Sequence, residues 1–437
     1  MSNPAKTFED LDDPTGPQPA GYGETDAQAV EKARPIPRIS IQAFCEDSRT
    51  AEAAQIAAED RRLSKAHVSI HMGGAPAAVA HYQEAPTPNL IIIESTLGRA
   101  EMLAELDRLA EFCDAGTKVI AIGHMNDVVL YRELLRRGVG EYLIAPIQPI
   151  QLMESISNLY NNPQSDPVGS VIAFIGAKGG VGSSTICHNV AWALSEKLKS
   201  DVVITDLDLA FGTAGLDFNQ DPIQGIFDAL SSPERLDEVL LDRLLTKCSE
   251  HLSLFAAPVT LDREYDVSAE GCDMVLDVVR QNVPFVAVDL PHVWTSWSKR
   301  VLMQADEIVV TAAPDLANLR NAKNLIDLLK AARTNDGPPH LVINMVGTPK
   351  RPEIAAKEFA TALDLEPKLV IDFDPASFGM AANNGMMIEE ADAKAKSGPQ
   401  FRELARILAK RKDNKGKTET KSTSALAPLL ERFKLKR

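Results

Sequence analysis

The chain has 437 residues, of which 45% are apolar, 24% charged and 5% aromatic. This is the make-up of a globular protein of two or three domains, and it excludes a wholly disordered, collagenous or membrane-embedded chain. Acidic residues number 61 against 46 basic ones, a net charge of −15, which repels phosphate backbones and anionic lipid and makes nucleic acid a poor first partner.

Residues 1–37 mix prolines and glycines with acidic clusters and are expected to form a disordered arm, because so little apolar surface cannot offset the entropy of ordering. Met1 leads into no basic and apolar leader, and Cys45, Cys113, Cys187, Cys248 and Cys272 form no C-x-x-C pair. A cytoplasmic location with reduced thiols is expected. No apolar run approaches the ~18 residues of a spanning helix, so any membrane would be met only at its surface.

Periodicity begins at Ile39 and predicts strands over Ile39–Cys45, Val68–Met72, Leu90–Ile93, Val119–Ile122 and Tyr142–Ile144. Helices are predicted over Ala51–Leu63, Met102–Phe112, Val128–Arg137 and Gln148–Tyr160. Alternation of this kind implies a small parallel sheet covered on both faces, placed in a domain over residues 38–162. His67 and His71 share a face of the second strand, but without a third ligand nearby no zinc site is expected.

Turn residues and two prolines over 161–167 mark a boundary. A second series predicts strands over Val171–Ile175, Val202–Thr205, Leu252–Ala256, Phe285–Val288, Ile308–Thr311, Leu341–Asn344 and Leu369–Ile371, with a closing helix over Gln400–Ala409. The expectation is a larger, doubly wound α/β domain over residues 168–410. Trp192, Trp294 and Trp297 are read as packing or interface residues.

The strongest motif runs from the strand at Val171 through Gly176-Ala-Lys-Gly-Gly-Val-Gly-Ser-Ser-Thr185 into a helix predicted over about 184–198. Gly179, Gly180 and Gly182 let backbone N–H groups curl into an anion nest, and the helix N-terminus adds partial positive charge. A triphosphate is the natural occupant. The spacing does not supply the G-x-G-x-x-G of a dinucleotide turn, and the lysine of the ordinary phosphate loop, G-x-x-x-x-G-K-[ST], falls on Ser183.

The string Lys178-Gly-Gly-Val-Gly-Ser-Ser-Thr185 resembles the deviant P-loop of MinD/ParA-like ATPases, K-G-G-x-G-K-[ST]-[ST]. Asp206-Leu-Asp208 and Asp289-Leu-Pro291 resemble that family's D-x-D and its Walker B strand end. The resemblance, which covers about 171–409, implies ATP and Mg²⁺ as cofactors. It implies phosphate contacts from Lys178, Gly179, Gly180, Val181, Gly182, Ser183, Ser184 and Thr185, and a magnesium shell from Ser184, Asp206 and Asp289. Catalytic roles fall to Lys178, acting across a homodimer, and to Asp208 near the attacking water. Asn344 and Pro375 are implied at the adenine. Without the lysine at Ser183, hydrolysis is expected to be slow or absent while binding survives.

In the first domain Gly138-Val-Gly-Glu-Tyr-Leu-Ile-Ala-Pro146 resembles the end of a response-regulator receiver, G-x-x-D-Y-L-x-K-P. Glu46 and Asp47 stand at the acidic pair, but the acceptor position is Glu94 and the lysine position is Ala145. No aspartyl phosphate is expected, and the domain is read as a docking or dimerising module.

A degenerate receiver joined to a deviant P-loop ATPase resembles the CpaE/TadZ family of Flp (tight adherence) pilus assembly proteins over nearly the whole chain. That resemblance implies a cytoplasmic factor at the cell pole that recruits the pilus secretion ATPase and other pilus assembly proteins. Two other readings stay open: a nucleotide-independent scaffold with a vestigial P-loop, and a ParA-type DNA-segregation ATPase, which the acidic body and Ser183 disfavour.

Residues 410–437 hold ten basic and three acidic side chains, and Leu426, Leu429, Leu430 and Phe433 recur at the spacing of one helical face, interrupted by Pro428. Peripheral contact with an anionic membrane, docking on a partner and a frayed terminus are the alternatives for this tail over 411–437.

Overall fold

A computed structural model describes residues 39–410, apart from 115, 161–167, 259, 262 and 263. The expected N-terminal arm, the boundary segment and the basic tail lie outside the described residues. The chain divides into two compact units between 160 and 168, and the first unit also takes in the loop Arg333–Gly337. Among the described residues no helix is long and apolar enough to cross a membrane.

The first unit runs β1 (Ser40–Cys45), α1 (Ser48–Glu59), β2 (His67–Met72), α2 (Gly74–Tyr82), β3 (Leu90–Ser95), α3 (Arg99–Ala110), β4 (Lys118–Gly123), α4 (Val128–Arg136), β5 (Glu141–Ile144) and α5 (Pro149–Tyr160). The strands form a parallel sheet in the order β2-β1-β3-β4-β5, the flavodoxin-like order. Strand β3 is buried along its whole length, and its pleat divides the core. Leu90 and Ile92 pack with Ala53, Ala57, Met153 and Ile156 of α1 and α5. Ile91 and Ile93 pack with Ala78, Leu106 and Leu130 of α2, α3 and α4. One residue of slip would exchange these two sets, which fixes the register.

Helix α2 was not legible as a helix. Its sequence Gly-Ala-Pro-Ala-Ala-Val-Ala-His-Tyr begins with a glycine and a proline, and its buried face is mostly alanine. Proline is nonetheless tolerated in a first turn, where its missing N–H has no intrahelical partner. Helix α1 starts three residues before the expected Ala51, because the Asp47 side chain accepts the Arg49 N–H and caps it. It stops at Glu59, where Asp60 caps a separate 3₁₀ turn, Arg61–Leu63.

The second unit places β6 (Ser170–Gly176), α6 (Ser183–Trp192), β7 (Val202–Asp206), α7 (Ala214–Asp217), α8 (Ile226–Leu230), α9 (Glu238–Leu244), β8 (Thr246–Lys247) and β9 (Leu252–Phe255) before α10 (Ala269–Asn282). It continues with β10 (Phe285–Asp289), α11 (Ser296–Gln304), β11 (Glu307–Ala312), α12 (Leu316–Ala332), β12 (His340–Val346), α13 (Ala356–Leu363), β13 (Leu369–Asp372), α14 (Pro375–Asn384), α15 (Ile388–Ala391) and α16 (Ser397–Leu408). The sheet order is β13-β12-β11-β6-β10-β7-β9-β8. All neighbours are parallel except β8, whose two residues pair antiparallel with β9 and are too few to carry a periodic signal. Helix α6 ends at Trp192 and passes into a π turn, Ala193–Lys197, where a single continuous helix was expected.

Strand β6 sits inside this sheet, with Ile172 and Phe174 in one core layer and Val171, Ala173 and Ile175 in the other. The loop that follows β6 therefore springs from a strand packed on both faces.

Within the first unit, Asp336 receives Arg61 at 2.8 Å, Arg62 at 2.5 Å and Arg333 at 3.0 Å. Burial alone would raise its carboxyl, but the guanidinium groups hold it down at about 2. Because this value lies below that of the unfolded chain, the contribution is complete above about pH 4 and is lost as the pH falls through about 2. Asp336→Asn should destabilise the first unit at pH 7 by roughly 2–4 kcal/mol, with the deficit shrinking below pH 4. Urea unfolding followed by peptide-resolved hydrogen exchange measures this, and equal stability at pH 7 would contradict it.

Candidate functional site

The glycine-rich loop between β6 and α6 needs backbone that other residues resist. Gly180 and Gly182 have φ of +77° and +85°, the left-handed region that glycine enters without strain. At Gly182 an added Cβ would also strike Asn344 Nδ2 at 2.7 Å, whereas at Gly179 and Gly180 it would meet nothing. The loop is thus closed from behind and open in front. Ala177 stands where the ordinary phosphate-loop pattern has its first glycine.

Side chains from three elements brace the loop by its carbonyls. Asn344 donates to the Val181 oxygen at 2.8 Å, Asn321 donates to the Ala177 oxygen at 3.0 Å, and His292 Nδ1 lies 2.9 Å from the Gly176 oxygen. Ser184 and Thr185 occupy the first turn of α6, half-buried, and Lys178 is exposed. Ser183 is buried, and its Oγ has no hydrogen-bond partner among the described residues.

The acidic residues converge from the next two strands. Asp289 ends β10 and Asp206 ends β7, and the two are register partners, each 1% exposed. Asp206 accepts the N–H groups of Asp208 at 3.1 Å and Ala214 at 3.3 Å. Burial, reinforced by the neighbouring Asp289 charge, pushes its carboxyl up to about 7. Among the described residues neither carboxylate oxygen of Asp289 has a hydrogen-bond partner. Asp208 is less buried, accepts the Phe211 N–H at 3.2 Å, and is raised chiefly by desolvation.

The residues present fit a magnesium ion. A buried carboxylate with neither oxygen satisfied is a standing cost that a cation removes. Among the described residues no group of three or more His, Cys, Asp and Glu side chains forms a cage. A hard ion that keeps water and phosphate oxygens in its shell needs none, one or two carboxylates and a hydroxyl such as that of Ser184 being enough.

Not every expected residue gathers at the loop. Asn344 is there, but as a brace of Val181. Pro375 opens α14 after the edge strand β13, three strand positions from β6, roughly 14 Å at ordinary strand spacing.

One residue escaped the sequence reading. His188 of α6 is fully buried, with Nδ1 2.7 Å from Asp217 and Nε2 3.5 Å from Asp289. Burial by itself would lower its pKa, but the two carboxylates outweigh burial and raise it to about 10. Its position four residues after Ser184, on the same helical face, was the available signal.

In the first unit the carboxylate at the expected acceptor position is engaged by its own neighbours. Glu94, 0% exposed, accepts the Glu46 and Asp47 N–H groups at 2.7 and 2.9 Å and the Thr50 hydroxyl at 2.7 Å, and lies 3.3 Å from His124 Nε2. Its carboxylate ties β3 to the loop after β1, to the first turn of α1 and to His124 after β4. Glu94→Gln puts an NH₂ group where donors point, and should cost the first unit roughly 1–3 kcal/mol in urea unfolding. An unchanged midpoint would show that other contacts hold these elements.

A family model described as an AAA domain matches residues 169–341. The septum site-determining protein MinD of Synechocystis is 24% identical over 249 residues, which span 54% of this chain and 88% of that protein. A ParA family ATPase structure from Chlorobium tepidum shares the fold at 24% identity and a TM-score of 0.50, over 54% of this chain and 98% of that one. A pilus assembly protein CpaE from Caulobacter crescentus is 47% identical, over 30% of this chain and 98% of that one, with a TM-score of 0.29. The kinship rests on that identity, sustained along nearly the whole of the Caulobacter chain: the protein belongs to the CpaE family of pilus assembly proteins.

Proposed function

We propose that the second unit binds ATP with magnesium and serves as a slow nucleotide switch, by which two copies of the chain associate and position the Flp pilus assembly and secretion machinery at the cell pole. The observation that carries this reading is Asp289, whose two unsatisfied and buried oxygens lie one strand away from a loop built to receive an anion.

In this reading the backbone of Gly179, Gly180, Val181 and Gly182 and the first turn of α6 hold the phosphates, with Ser183 and Thr185 contributing contacts. Ser184 and Asp289 would hold magnesium with Asp206 behind them. Magnesium, when bound, would balance the phosphate charge and fix the triphosphate in place. Asp208, the most accessible of the three carboxylates, orients water. Lys178 projects into solvent and is free to reach a second copy, and Asn344 and Pro375 border the base. The basic tail gives a cytoplasmic assembly a second contact, with anionic lipid or with the secretion ATPase and other pilus assembly proteins. DNA is not a partner of this acidic body.

Calorimetry of ATP and ADP with magnesium, together with light scattering, tests the switch. ATP should bind more tightly than ADP and shift monomer to dimer, and Lys178→Ala should keep binding but lose the shift. No binding at millimolar ATP would leave a scaffold that needs no nucleotide. Ser183→Lys restores a charge beside the β- and γ-phosphates, and should raise turnover by roughly tenfold or more. Unchanged turnover in a folded variant would refute that role.

A further inference from the structure

His188 is not needed to build a phosphate loop, yet it sits at the junction of the site's most constrained groups. It lies one helical turn beyond Ser184, and its ring joins the Asp289 carboxylate on one side to Asp217 on the other. Phe218 covers the ring at 5.8 Å between centroids. Asp217 is the last residue of the short helix α7, and the first, Ala214, donates its N–H to Asp206. Gly212 approaches so closely that a Cβ there would meet Asp206 Oδ2 at 2.3 Å.

The segment between Asp208 and α8 is therefore tied at two points to the two acidic strand ends. Directly through Ala214 and Gly212 it rests on Asp206, and through Asp217 and His188 it rests on Asp289. The same segment carries side chains that the unit leaves uncovered: Phe211 is 73% exposed, Leu216 72% and Ile223 100%. A surface this apolar, anchored on the carboxylates of a candidate metal site, is placed to present the state of that site to other molecules.

We infer that His188 is a positioning residue that passes occupancy of the Asp289 carboxylate to the segment Phe211–Ile223. The inference rests on the magnesium reading above. With the metal absent, Nε2 stands at ion-pair distance, 3.5 Å, from the Asp289 carboxylate. Magnesium and its water shell, held at Asp289, would compete with His188 for the carboxylate and loosen that approach. Its other nitrogen moves with the ring, and Asp217 and α7 follow. The two ties then no longer hold the segment in one posture, and the exposed apolar side chains shift together.

The test is hydrogen exchange of the full chain, read on peptides spanning 208–226, with ATP and magnesium and with ATP and a chelator. Wild-type, His188→Gln and Asp217→Asn proteins are compared, with calorimetry of magnesium–ATP run on each. In wild type, magnesium–ATP should change exchange across 208–226 by about fivefold or more relative to ATP with chelator. Both variants should bind magnesium–ATP at least as tightly as wild type and lose that change. A merely structural role would alter exchange equally with and without metal, so retention of the full magnesium response in both variants overturns the inference. Binding in wild type with no response at 208–226 overturns it while leaving the nucleotide site standing. No magnesium–ATP binding in wild type overturns both.

Discussion

Asp206 and Asp289 end neighbouring strands in register, and both are buried. Two carboxylates so placed repel each other in a medium that solvates neither, and the arrangement is costly unless charge or hydrogen bonds offset it. The surrounding architecture follows from this constraint. Asp206 is offset by two backbone N–H groups and by an upward shift that favours its neutral form. Among the described residues Asp289 has the imidazole of His188, at 3.5 Å, as its charged partner. The unit keeps one carboxylate partly neutralised and holds the other ready for a cation.

The two units handle a buried carboxylate in opposite ways on related parallel sheets. In the first, Glu94 is the next-to-last residue of β3 and has its oxygens occupied by two backbone N–H groups and a hydroxyl. Its longer side chain reaches the loop after β1 and satisfies itself there. In the second, neither oxygen of Asp289 meets a hydrogen-bond donor among the described residues. The first carboxylate is thereby a structural clasp between β3, the loop after β1, α1 and His124, and the second belongs to a candidate site.

Much of this was legible in the sequence, for physical reasons that differ by element. Strands such as Leu90-Ile-Ile-Ile and Val171-Ile-Ala-Phe-Ile are continuous apolar runs because both faces of a parallel sheet are covered. The glycines at 179, 180 and 182 announce a loop, and at 180 and 182 the left-handed backbone is one that few other residues tolerate. Helix α2 was hidden by an alanine-rich buried face and an early proline, and β8 by its brevity. His188 was hidden because its role comes from Asp217 and Asp289, which the fold brings from 29 and 101 positions along the chain. The saturation of Glu94 likewise depends on loops that sequence order keeps apart. Residues whose meaning is local were readable, and residues whose meaning is a meeting of distant strand ends were not.

The central claim is that Asp289 is left unsatisfied in order to hold a metal with a nucleotide. The most direct measurement is the affinity for ATP with magnesium and with a chelator, in wild type and in Asp289→Asn. The account predicts that magnesium tightens ATP binding to wild type by about tenfold or more, as one lost metal contact implies, and that Asp289→Asn removes this gain while the variant remains folded. Equal affinity with magnesium and with chelator in wild type, or an undiminished magnesium effect in the variant, would contradict it.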